Sequence, residues 1–166
     1  MIKTKKLNAH KFAVVFALSL IISCSNKMAK EVAPVFIKID GPMKDSKEEI
    51  SGMDWYKDNL CILPENLNGY IFFINKSEID SRINKTDTTT IKPRKVRFIT
   101  PDYKKIIPGF DSFEAIAFRG HEVYISIEIK FPDSMSCIIV RGHIDENSLE
   151  ITIPEQTFTT LDVPTY

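Results

Sequence analysis

From residue 35 onward the chain is written in short apolar runs of four to seven residues. Each run is closed within a few positions by Gly, Pro, Asn, Asp or Ser. That rhythm is too short for amphipathic helices and points to antiparallel strands joined by turns. The expected strands are residues 35–39, 51–55, 60–63, 70–74, 95–99, 113–118, 123–129, 137–141 and 149–153. Hairpin turns are expected at 56–59, 119–122, 132–135 and 145–148, and the segment 64–69 is also rich in turn residues. Only the polar stretch 77–93 breaks the rhythm, with room for a short helix near Glu78 and Ile83. The fold class read from this pattern is all-β.

The pattern also repeats. Sliding the chain by 63 residues puts Gly52-Met-Asp-Trp55 on Ala115-Ile-Ala-Phe118, Leu60-Cys-Ile62 on Val123-Tyr-Ile125, and Glu65 on Glu128. A small residue, an aliphatic, an aromatic, a turn, an aliphatic strand and an acid recur in register. Two four-stranded meanders at this spacing suggest about two blades of an incomplete β-propeller. A generic antiparallel sheet or sandwich is the alternative. Trp55 and Phe118, at equivalent positions, are expected in the core between the blades.

The first 23 residues follow a different logic. Lys3, Lys5, Lys6 and Lys11 stand without an acidic residue, and residues 12–22 form an apolar run too short to span a bilayer comfortably. Ile21-Ile22-Ser23-Cys24 then places a small residue directly before a cysteine. This arrangement resembles the lipobox of bacterial lipoproteins. The resemblance implies a signal peptide at 1–23, lipid on Cys24 and a tether at 24–34 before a domain at 35–166. Two or three acyl chains anchor firmly where one is marginal. Ser25, in place of an Asp after the cysteine, favours the outer over the inner membrane.

Removing the leader changes the charge balance. The whole chain has 22 basic and 22 acidic side chains, but the four leader lysines leave 18 against 22 from Cys24 to Tyr166. An acidic exported domain is a poor partner for nucleic acid. Cys61 and Cys137 lie in apolar strands and are expected to be small core residues rather than a disulfide, although an exported compartment permits one. No Cys/His spacing resembles a zinc site.

Residues 51–65 and 111–128 carry a second resemblance. Ser51-Gly-Met-Asp-Trp with Leu60-Cys-Ile-Leu-Pro-Glu65, and Asp111-Ser-Phe-Glu-Ala-Ile-Ala-Phe118 with Val123-Tyr-Ile-Ser-Ile-Glu128, resemble successive blades of the phytase-like esterase, gluconolactonase-like and SdiA-regulated-type calcium propellers. In those families, acids on the innermost strands bind calcium that assists ester or phosphoester hydrolysis. The resemblance therefore makes Glu114 the first candidate ligand, Glu128 the second and Glu65 its counterpart in the first repeat. One or two Glu cannot satisfy a cation that takes six to eight oxygens.

The chain holds material for two blades, with residues 35–39 as a strand that closes a last blade. Three expectations follow from this shortfall: a fragment, a half-propeller completed by itself or by a partner chain, or a small sheet domain. An open pair of blades leaves a sheet face and an edge exposed. Ser51 lacks a Gly-x-Ser-x-Gly context, and His121 and His143 read as ordinary surface residues. The function expected is a membrane-anchored lipoprotein with a partial, non-catalytic propeller. The alternatives are a calcium-dependent hydrolase completed by further blades and a non-enzymatic envelope binding lipoprotein.

Overall fold

The computed structural model describes residues 33–44, 48–65, 69–155 and 158–161. The expected leader, Cys24 and most of the tether lie outside the described residues. Among the described residues nine strands form: β1 (Ile50–Tyr56), β2 (Asn59–Pro64), β3 (Tyr70–Asn75), β4 (Arg94–Ile99), β5 (Phe110–Arg119), β6 (Glu122–Phe131), β7 (Ser134–Ile144), β8 (Ile151–Thr152) and β9 (Phe158–Leu161). The all-β class stands. Eight of the strands follow the order β1-β2-β3-β4-β8-β7-β6-β5, with β9 beside β7.

That order contains the two expected meanders, β1–β4 and β5–β8, but it does not keep them as two separate blades. β4 and β8 pair in parallel, Phe98 with Ile151 and Ile99 with Thr152, and this joins both meanders into one sheet. At the other margin β1 lies against β5 without a ladder. Gly52 approaches Ala115 so closely that an added Cβ would sit 3.0 Å from the Ala115 Cα. Two residues further along β1 and three along β5, the Asp54 Oδ2 accepts the Phe118 amide at 2.7 Å. The result is a nearly closed barrel. Two separate blades would have left β4 and β8 as unpaired edges, and pairing them satisfies main-chain groups that would otherwise face solvent.

One core fills the space between the meanders. Cys61, Leu63, Ile71 and Phe73 from the first meander meet Val123, Ile125, Ile127, Val140 and Ile151 from the second. Each such side chain is worth roughly 1.5–3 kcal/mol on burial. β6 shows the cause plainly: Val123, Ile125, Ile127 and Ile129 are buried while Tyr124, Ser126 and Glu128 face outward. The inner faces of both meanders are thus covered, contrary to the expected open blade face.

β2 and β3 are apolar on both sides because a second cluster covers their outer face. Ile62, Phe72, Ile74 and Ile91 form it, with Ile37, Ile39, Met43, Leu60 and Ile79 packed against it. The expected strand at 35–39 is therefore a covering segment instead. Among the described residues its one bridge is Ile39 with Ile91, and it closes no blade. Helix α1 (Lys76–Ile83) occupies the polar excursion, capped by the Asn75 side chain accepting the Ser77 amide at 2.9 Å. Arg82 ties the helix end to the rest of the excursion through Asp87 at 2.7 Å and the Thr89 carbonyl at 3.0 Å.

The expected strand at 149–153 starts late. Asp145 Oδ1 accepts the amides of Asn147 and Ser148, and Leu149 follows at φ 63°, outside the range of a strand. Cys61 and Cys137 are free thiols. Cys61 is fully buried, and burial pushes its thiol pKa well up, with the nearby Asp54 adding to the effect.

Candidate functional site

Two places gather chemistry, one at each end of the β1–β5 margin. The first holds the acids singled out from the sequence. β5 carries two register irregularities on its ladder with β6, at Asp111 and at Glu114, and β1 carries one at Ser51. Such bulges turn side chains out of the simple alternation. Glu114 is the residue left out of register at the second of these, and it accepts a hydrogen bond from the buried Ser112 hydroxyl.

Glu128 sits on the outer face of β6, paired with Lys130 at 2.9 Å. The same ammonium holds Asp111 at 2.5 Å. Glu65 adjoins Glu49: their main chains bond at 2.6 Å, and their carboxyl groups share a hydrogen bond. The charges of Glu114 and Asp111 also reach Glu65, so the structure does bring Glu65 and Glu114 to one end.

As arranged, this set does not fit calcium. Lys130 already pairs with both Asp111 and Glu128, Ser112 holds Glu114, and no three His, Cys, Asp or Glu side chains among the described residues stand as a ligand group. A hard cation needs far more free oxygens than remain here.

The crowding has a pH consequence. The hydrogen bond that protonated Glu65 donates to Glu49, then burial, then the charges of Glu49, Glu114 and Asp111 raise the Glu65 pKa above its ordinary 4.5. The folded chain therefore holds this proton more firmly than the unfolded chain. The corresponding stability is full below the ordinary Glu value and is lost as pH rises through the elevated folded value. Asp111, lowered chiefly by its hydrogen bond with Lys130, acts in the opposite sense and loses its contribution in acid. Glu65→Gln should therefore show a higher thermal midpoint than wild type near neutral pH, with the gap closing in acid. Melts across that range check this, and a gap that persists in acid would contradict it.

The second place lies where the two hairpin tips meet. The β1–β2 loop, Lys57-Asp58, has Lys57 at φ 51°, and the β5–β6 loop is Gly120-His121 with Gly120 at φ 61°. These are equivalent turns of the two repeats. The Tyr56 hydroxyl bonds the His121 Nδ1 at 2.8 Å, and the Tyr56 ring packs on Phe118 with centroids 5.3 Å apart. The Lys57 ammonium pairs with Glu146, whose other oxygen is 3.8 Å from His121 Nε2. That pairing raises the Lys57 pKa and lowers that of Glu146. Trp55, Tyr56, Lys57, Phe118, Gly120 and His121 line a half-open cavity of about 190 Å³.

Trp55 was expected in the core, but its residue is 44% exposed and stands at the rim of this cavity. Tyr56 is the buried aromatic, only 3% exposed. The displacement follows from register, because Met53 and Trp55 share the outward face of β1 while Asp54 and Tyr56 turn inward. His121 is exposed in its turn as expected, but it is not without a partner. Sequence reasoning missed Tyr56 and Glu146 altogether. The 63-residue offset, which aligns the two hairpin turns, was the one available signal that the tips would meet.

No family model, no curated protein and no solved structure matches this chain.

Proposed function

We propose that the chain is an exported bacterial lipoprotein whose lipid on Cys24 holds a non-catalytic β-domain on the envelope as a binding module. The observation that carries this reading is the leader: four lysines without an acid, an eleven-residue apolar run, and Ile21-Ile22-Ser23-Cys24. Placement on the outer membrane rests on Ser25. The kinship with calcium propellers belongs to the same reading. Its support is two successive meanders of like strand order whose first strands, β1 and β5, run side by side in the same direction.

Calcium-dependent hydrolysis has less support, because the candidate acids are already engaged by Lys130, Ser112 and one another. A calcium-dependent turnover of an aryl ester that is lost in Glu114→Gln would favour the hydrolase instead.

The anchor is tested by expressing the full chain in a bacterium fed labelled palmitate. Wild type should take up label and sediment with membranes. Cys24→Ser should be unlabelled, and an inhibitor of the lipoprotein signal peptidase should cause the precursor to accumulate. A cleaved, soluble, unlabelled wild-type chain would overturn the proposal.

A further inference from the structure

We propose that the cavity between the two hairpin tips binds a single neutral saccharide ring. This deepens the binding-module reading and rests on it for biological meaning, while the geometry stands by itself. A sugar ring offers an apolar C–H face and a fringe of hydroxyls that both donate and accept. The cavity offers the complement of each. Trp55 gives an exposed indole at the rim, and Phe118 and Tyr56 form an apolar wall.

The polar side is formed by Lys57 and His121. Lys57 lines the cavity with ammonium donors, and Glu146, outside the lining, holds it in an ion pair. His121 is held by Tyr56 through Nδ1, which leaves its Nε2 on the side of Glu146, 3.8 Å away. Because Lys57 is already answered by Glu146, an anionic ligand gains little here, and neutral hydroxyls suit the pair better.

Size points the same way. The cavity volume is about 190 Å³. That suits one ring of about a dozen heavy atoms and falls below the ~300 Å³ where drug-sized pockets begin. The two tips come from different meanders, so the cavity exists only in the closed fold.

The chain contains one tryptophan, so Trp55 fluorescence reports on this cavity alone. The full chain, in a detergent without a sugar headgroup, is titrated with glucose, galactose and N-acetylglucosamine, and separately with acetate and inorganic phosphate. A saturable change with at least one neutral sugar is expected, with Kd on the order of millimolar, or about −4 kcal/mol. Saturation-transfer NMR should then show at least about tenfold weaker binding in Trp55→Ala and in Lys57→Ala, with thermal midpoints near wild type. Failure of all three sugars, a response to the anions instead, or full binding in Trp55→Ala would overturn the inference. Palmitate labelling of the same preparation keeps the two readings apart: labelled but sugar-blind protein loses only this inference.

Discussion

Gly142→Ala is expected to destabilise the fold by about 2–4 kcal/mol. Gly142 lies in β7 beneath β8, and a Cβ there would sit 2.3 Å from the Thr152 carbonyl oxygen and 3.0 Å from its carbon. Backbone cannot swing aside as a side chain can. β8 must retreat, and with it goes the pairing of His143 with Thr152 and Ile144 with Ile151. The same two β8 residues pair with Phe98 and Ile99 of β4, so one methyl group strikes both ladders that join the meanders. Gly120→Ala is the matched control. Nothing lies within 4 Å of its added Cβ, and only the positive φ of 61° opposes it, at a cost of about 1 kcal/mol. Urea midpoints for both variants test the argument. If Gly142→Ala unfolds with wild type or beside Gly120→Ala, β8 is not where the sheet is joined.

Much of this architecture was legible because it is local. The pairing of Tyr56 with Asn59 follows from a two-residue loop, and the alternation of β6 follows from Val123, Ile125, Ile127 and Ile129. Other features were hidden because they are not local. The β4–β8 junction is two residues long and joins segments some fifty positions apart, with nothing in either run to announce a parallel neighbour.

The irregularities at Asp111 and Glu114 were invisible for a different reason. A bulge inserts one residue without changing residue type, so Asp111-Ser-Phe-Glu114 reads as plain strand while the real chain buries both Ser112 and Phe113 in succession. That irregularity takes Glu114 out of the ladder register with β6. Residues 35–39 misled because an apolar segment that covers a sheet face has the same composition as a strand within one. Of the candidate acids, sequence reading found the residues and the structure supplied their partners. For the cavity it found Trp55, Phe118 and His121 but judged each of them singly.

The second large effect is expected at Asp54. Between β1 and β5 its carboxylate substitutes for a ladder bond: one oxygen accepts the Trp55 amide at 2.8 Å and the other the Phe118 amide at 2.7 Å across the gap. Asp54→Ala leaves the Phe118 N–H without its acceptor, a loss of about 1–3 kcal/mol. Cys61 reports the consequence, because it faces Asp54 across the β1–β2 ladder and is wholly buried in the closed barrel. In the full chain with Cys24→Ser and Cys137→Ser, a maleimide reaches Cys61 only when the margin opens. Every 1.4 kcal/mol lost from closure should speed labelling about tenfold, so Asp54→Ala should react about 10–100 times faster than its parent. Removing the charge also lowers the Cys61 thiol pKa, and Asp54→Asn separates the two effects. Asn keeps an oxygen acceptor but no charge, and it should label near the parental rate if the hydrogen bond closes the barrel. Asn labelling as fast as Ala would instead assign the effect to charge. Ala labelling at the parental rate would show that the margin is held by core packing alone.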